Sequence, residues 1–191
     1  STIHGTLAVV GTNVIGSTVE VNSTNITVIK YNFTAIGENI IVSVLNITRN
    51  ETAADADIVF LTFYNDTDGG GAFNVGDERV GSQLNASSSS KYMFNGLAFN
   101  VTPGRVNTLF LVVNITKTAT TGGKTFRFNL VNTGDVTAVG SSSDLNLTSS
   151  TNITLTTISS NQAKIFGTLS AVAADLTPDN ANTGQKDVSI L

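Results

Sequence analysis

Nine short runs rich in Val, Ile, Thr and Phe, each bounded by Gly, Ser or Asn, confine this chain to a β architecture: IHGTLAVV (3–10), NITVIKYNFTA (25–35), NIIVSVLNIT (39–48), IVFLTFYN (58–65), KYMFNGLAFNVT (91–102), VNTLFLVVNIT (106–116), KTFRFNLVN (124–132), NLTSSTNITLTTI (146–158) and KIFGTLSAV (164–172). Branched and aromatic side chains fit the pleated, half-buried surface of a strand, and Gly, Ser and Asn supply the turns between. No stretch sustains helical spacing; ETAADAD (51–57) comes nearest and is too short to hold a helix by itself. The number and spacing of the runs predict an all-β fold, an antiparallel β-sandwich. At 191 residues the chain can bury one such core, so one domain is expected rather than two.

Along the chain an Asn-x-Ser/Thr triplet recurs eleven times, at Asn22, Asn25, Asn32, Asn46, Asn50, Asn65, Asn85, Asn100, Asn114, Asn146 and Asn152. That is about twice what composition alone predicts, and the triplet is the acceptor for N-linked glycans. Seven triplets have an apolar middle residue: NIT at Asn25, Asn46, Asn114 and Asn152, NFT at Asn32, NVT at Asn100 and NLT at Asn146. On a strand, residues i and i+2 share a face, so Asn and Thr point to solvent while the residue between them points into the core. Sugars on these positions coat the outside of a sandwich and place the protein outside the cell.

The same alternation makes two local predictions. Asn25 and Asn32 are an odd number of residues apart and cannot both face outward on one regular strand, which predicts a bulge or break between Val28 and Tyr31. In LFLVVNIT, Leu109, Leu111, Val113 and Ile115 point inward, leaving Phe110 and Val112 on the outer face and predicting a neighbour that covers part of it.

Composition removes several kinds of function. The chain has no cysteine, so disulfides, cysteine zinc sites and cysteine nucleophiles are excluded. Charged residues are 13% of the chain, about half the usual share. With a net charge of −4 there is no basic patch for the phosphates of nucleic acid. No apolar run is long enough to span a bilayer, and Ser1 is expected to follow a removed leader.

The end of the chain repeats its beginning. IFGTLSAV (165–172) matches IHGTLAVV (3–10), and at the same offset of 162 residues DVSIL (187–191) falls on NITVI (25–29). The expected division is a sandwich domain over 1–162 and a segment over 163–191 that packs on a neighbour or starts a second repeat. A 29-residue stub has too little core to fold alone. If it supplies strands to another copy where that copy's first strands would lie, the contact is head to tail and builds a filament. The residues expected at that contact are Ile3, Leu7, Val9, Ile165, Leu169, Val188 and Ile190.

Acids, amides and glycines crowd together only in YNDTDGGGAFNVGDER (64–79). From Asp66 the spacing follows an EF-hand calcium loop: Asp66 at position 1, Asp68 at 3, Gly70 at 5, Gly71 at the sharp turn, Ala72 offering a carbonyl, Phe73 as an apolar anchor, Asn74 at 9 and Asp77 at 12. Position 5 is Gly70, so one carboxylate is missing and water is expected in its place. Glu78 stands next to Asp77 as an alternative bidentate ligand. The flanking runs read as strands, so the loop caps a hairpin; a bare Gly-rich turn is the alternative. Catalysis is not expected: a glycosidase needs carboxylates facing each other across a cleft. A triad needs a histidine with a partner, and His4 reads as a rim or neighbour-contact residue.

The order NITVIKYNFTAIGENIIVSVLNIT, then ADIVFLTFYNDTDGGGAFNVGDERVGS, then YMFNGLAFNVTPGRVNTLFLVVNITKTATTGGKTFRFNL resembles an immunoglobulin-like β-sandwich repeat of large archaeal and bacterial cell-surface proteins, over roughly residues 25 to 140. That family carries a D-x-N-x-D-G-x-F-x-x-G-D type loop after a strand and then a P-x-G…L-V-V segment. The family's Asp at the fifth loop position is absent here. The density of acceptors and the strand-like tail also look like subunits of archaeal extracellular filaments, the threads and cannulae joined by donated strands and in some cases binding calcium. These resemblances imply an immunoglobulin-like or jelly-roll sandwich with a terminal strand free for exchange between subunits. The expectation is a secreted, glycosylated structural subunit, not an enzyme, whose partners are copies of itself. The alternatives are one module of a tandem surface-layer or stalk protein, or a carbohydrate-binding adhesin module.

Overall fold

The computed structural model describes residues 5–85, 90–119, 123–147 and 151–167. Among them are fourteen strands: β1 (Thr6–Asn13), β2 (Thr18–Glu20), β3 (Ile26–Ile36), β4 (Ile40–Asn50), β5 (Ile58–Asn65), β6 (Glu78–Asn85), β7 (Lys91–Val101), β8 (Val106–Ile115), β9 (Thr125–Leu130), β10 (Val136–Gly140), β11 (Asn146–Leu147), β12 (Ile153–Leu155), β13 (Ile158–Ser159) and β14 (Ala163–Phe166). The only helical pieces among the described residues are single 3-10 turns at Asp55–Asp57 and Thr133–Asp135. ETAADAD thus closes one turn and stops.

The strands form a two-sheet sandwich. The first sheet runs β12-β1-β3-β8-β5-β6; the second runs β11-β10-β4-β9-β14-β2, with β7 paired along β4 and β13 against β9. Most successive strands change sheet, so the chain stitches the layers together. The sheets are mixed rather than purely antiparallel, because β1 pairs parallel with β12 and β2 parallel with β14. Both parallel pairs join the first strands of the chain to its last described ones, an arrangement that long loop closure permits and hairpins do not.

Alternation along the strands builds the core. Tyr31 and Phe33 of β3 and Phe63 of β5 face Phe94 and Phe99 of β7, with ring centroids 4.6 Å apart for Phe63 and Phe94 and 5.3 Å for Phe33 and Phe99. Tilted and edge-on contacts of this kind add to the burial of the rings. Of the seven apolar triplet residues, Phe33, Ile47, Val101, Ile115, Leu147 and Ile153 are buried and Ile26 is partly so, while none of the eleven acceptor asparagines is buried.

The register of β3 against β8 slips between Thr27 and Ile29, which places the bulge at Val28, the near edge of the expected interval. Val28 and Ile29 are consecutive and both fully buried, as a bulge allows and a regular strand does not. Phe110 and Val112 are buried on the outer face as well. What covers Phe110 is the ring of Phe73 from the chain's own loop, 6.3 Å away, and not a neighbouring molecule. The run 146–158, read as one strand, is divided into β11 and β13 of the second sheet and β12 of the first. Three strands, β2, β6 and β10, fall outside the nine runs, with β6 read only as the flank of the acidic loop.

Glu38, in the turn between β3 and β4, ties three segments together. Its Oε1 accepts from the Gly5 amide at 3.1 Å and the Ser143 hydroxyl at 2.6 Å, and its Oε2 accepts from the Ser142 and Ser143 amides at 2.8 and 2.9 Å. The Ser143 hydroxyl foremost, then the Ser142 amide, outweigh burial and bring the carboxyl down to about 2. A Cβ on Gly5 would lie 2.8 Å from Glu38 Cγ, and one on Gly140 2.3 Å from Oε1, so both glycines make room for this carboxylate.

Residues 163–166, expected to pack on a neighbour or open a second repeat, form β14 of this sandwich, with Ala163 and Ile165 fully buried. Leu7 and Val9 are likewise buried, in β1. Ile3, His4, Leu169, Val188 and Ile190 lie outside the described residues. Among the described residues no helix is long and apolar enough to cross a membrane.

Candidate metal centre

The loop from Asp66 to Asp77 joins β5 to β6, whose strands pair from Asn65 and Glu78 inward. Its start is fixed to the sheet by the Asp66 amide, which donates to the Thr108 carbonyl at 3.1 Å. The acids then order the loop from within. Asp66 Oδ2 accepts from the Gly71 amide at 2.9 Å and Asp68 Oδ1 from the Gly70 amide at 2.7 Å. Asp77 accepts from the Thr67 amide at 3.2 Å and the Asn74 amide at 2.8 Å. Gly71, at the position expected to turn sharply, has φ of +74°, where a side chain is strained.

These contacts bring Asp66, Asp68 and Asp77 to one point, each offering a carboxylate oxygen within 4.8 Å of the others. Asp66 Oδ1 is buried without a hydrogen-bond partner. The Asp68 carboxyl is held below its ordinary value, chiefly by the Gly70 amide and then by the Asn74 side chain. A set of hard carboxylate oxygens suits Ca²⁺ or Mg²⁺ rather than a metal that prefers nitrogen or sulfur. The only cation contacting the loop among the described hydrogen bonds is Lys30, whose Nζ donates to the Gly71 carbonyl at 3.1 Å.

The other residues of the expected ligand set are less uniformly placed. Asn74 touches the cluster through Nδ2, which donates to Asp68 Oδ2 at 2.9 Å, while its Oδ1 accepts from Gly76. Gly70 contributes backbone only, and a Cβ there would come within 2.9 Å of Asp68 Oδ1. The missing fifth carboxylate is thus the condition for the Asp68 turn. Ala72 is exposed, and Glu78 is exposed at the start of β6, outside the three-carboxylate cluster.

Two parts of the site were not foreseen. Phe73 packs tilted against Tyr64, with ring centroids 4.7 Å apart, and edge-on to Phe110, so the loop is anchored over the outer face of the first sheet by an aromatic trio. Its position as apolar anchor was readable; its partners depend on the pairing of Tyr64 with Phe110 across β5 and β8. A polar cleft of about 630 Å³ opens beside the loop, lined by Lys30, Asn32, Asp66, Asp68, Arg105 and Asn107 among others. No spacing along the chain announces it, because its walls come from three separate segments.

The acceptor asparagines occupy both broad faces. Asn32 and Asn114 alternate with buried residues of the first sheet, and Asn46 and Asn100 with buried residues of the second. Asn32 and Asn114 are partly engaged through their carbonyl oxygens, which accept from Thr108 at 3.0 Å and from the Asn25 amide at 2.7 Å. Asn22, Asn25, Asn50, Asn85, Asn100 and Asn146 are exposed, whereas Asn65 and Asn152 are half-buried. No protein-family model matches the sequence, and no curated protein matches it.

Proposed function

We propose that the chain is a secreted, N-glycosylated structural unit of an extracellular filament or surface array, joined head to tail to copies of itself by a shared strand, with Ca²⁺ stiffening the β5–β6 hairpin. The immunoglobulin-like or jelly-roll description of the sandwich belongs to the same proposal. The observation that carries it is where the two copies of the repeat fall. β14 is the last described strand and β1 the first, and the repeated pattern Ile-x-Gly-Thr-Leu covers the end of β14 and what would be the beginning of another β1. Acceptors on both broad faces support the extracellular part of this reading, since glycans there would cover the two outer surfaces of the sandwich. The role is mechanical rather than catalytic: the clustered carboxylates order a loop.

Sedimentation of the purified chain over a range of concentrations tests this reading. An open-ended series of species that grows with concentration is expected, and a monomer at every concentration contradicts it. The same repeat also favours a second reading, in which the sandwich is one module of a tandem array. The intact mass of the native protein separates the two, a multiple of the 162-residue repeat supporting the array.

A further inference from the structure

On the outer face of the second sheet, Asn46 of β4 lies beside two large apolar side chains that the sandwich leaves in water. Met93 of β7 stands directly across from it and is 56% exposed; Val131, just past the end of β9, is 37% exposed. With Thr48, Asn132 and Asp135 among others, these residues line a groove of about 270 Å³. The acceptor triplet is itself part of the lining, with Ile47 buried and Asn46 and Thr48 half-exposed on either side of it.

The orientation of Asn46 bears on what fills this groove. Its Oδ1 is buried without a hydrogen-bond partner, which makes Nδ2 the open end of the amide. Asn32 and Asn114 differ, since their carbonyl oxygens are engaged by Thr108 and by the Asn25 amide. N-glycosylation forms its bond at that nitrogen: the anomeric carbon of the sugar leaves the phosphate of an activated donor for Nδ2, and the amide gives up one proton. A sugar attached to Asn46 therefore starts inside the groove.

A saccharide ring presents C–H groups on its face and hydroxyls around its rim. That chemistry suits a groove with aliphatic walls at Met93 and Val131 and polar groups at Asn132 and Asp135. Covering the two apolar side chains removes surface from water, which favours the contact in proportion to the area. A shallow groove holds a free saccharide weakly, but a covalent tether raises the local concentration and makes a weak contact persist. A second copy seated on the same strip would have to displace a glycan rooted in its middle.

We infer that the glycan on Asn46 folds back on its own sandwich, its first saccharide rings packing in the groove between Met93 and Val131; this rests on the N-glycosylated reading proposed above. The glycan is then a fixed part of the outer face and not a loose brush over it.

The chain has one methionine and no cysteine, so peroxide reads this groove directly. It transfers one oxygen to the Met93 sulfur, giving sulfoxide and water, and peptide mass records the gain. Thr48→Val removes the acceptor triplet while keeping Asn46 and a branched strand residue. In the full chain from a host that glycosylates Asn-x-Thr, Met93 is expected to oxidise about fivefold more slowly than in Thr48→Val, as for a groove covered about four-fifths of the time. Asn100→Gln, which removes another acceptor on the same face, is expected to leave the rate unchanged. Thr48→Val is also expected to lower Tm by about 2–4 °C, and by less than half as much when Met93→Ser has already removed one wall. The same variants from a host that attaches no sugar supply the baseline. Equal oxidation rates with and without sugar on Asn46, or a Tm loss undiminished by Met93→Ser, overturn the inference and leave the glycosylated reading standing. An Asn46 without sugar in the native protein also overturns it, and a native chain without sugar on any acceptor removes the glycosylated reading as well.

Discussion

Two carboxylate sites differ in how their charge is met. Asp66, Asp68 and Asp77 converge within 4.8 Å, and bringing three like charges together is unfavourable unless a cation joins them. Calcium at a hundredfold excess over its Kd is expected to stabilise the fold by about 2.7 kcal/mol, a rise in Tm of about 5–10 °C for a domain of this size. Asp66→Asn is expected to abolish that rise, as read by thermal melts with calcium and with chelator. Glu38, by contrast, is satisfied by the chain itself. Its folded value of about 2 lies below the ordinary 4.5, so the unfolded state binds more protons between those values and stability increases with pH across that window. The contribution is complete above the unfolded value and is lost as pH falls through the folded one. Glu38→Gln is therefore expected to melt below the wild type at neutral pH, with the gap closing as pH approaches about 2. Neither role was equally visible beforehand: the spacing from Asp66 to Asp77 is local, whereas Glu38 is defined by Gly5, Ser142 and Ser143, more than thirty residues away on either side.

Elements were legible where their cause lay inside one run. The alternation in NIT and NFT triplets located the buried faces of β3, β4 and β8, and the odd spacing of Asn25 and Asn32 led to the bulge at Val28. Strands were missed or misdivided where pairing decides. β10 is five residues, VTAVG, held because β4 accepts it on one side and β11 on the other. The run 146–158 breaks because successive parts pair with β10, β1 and β9. The parallel pairs β1–β12 and β2–β14 have no local signal at all. The close packing of β1 on β13, which Gly11 permits, likewise has no local signal. Gly11→Ala is expected to cost about 1–3 kcal/mol through the clash with Ile158, seen as a lowered denaturation midpoint with an unchanged slope.

For the molecule as a whole, a charged fraction of 13% and eleven acceptor triplets underlie the proposal of a surface hydrated by sugar. Asn32 and Asn114 on one face and Asn46 and Asn100 on the other predict that enzymatic removal of glycans promotes lateral association while leaving end-to-end contacts intact, as light scattering and micrographs would register. The Asp66–Asp77 loop packs over its hairpin through Phe73, which lies against Tyr64 and Phe110; in the proposed assembly a bound cation would stiffen this hairpin. The longest strands have eleven residues, about 36 Å of extended chain. Electron microscopy of the native material tests the central claim most directly. Head-to-tail assembly predicts unbranched filaments or rows whose repeating unit is spaced by about 35–40 Å. Isolated particles or closed rings would contradict it.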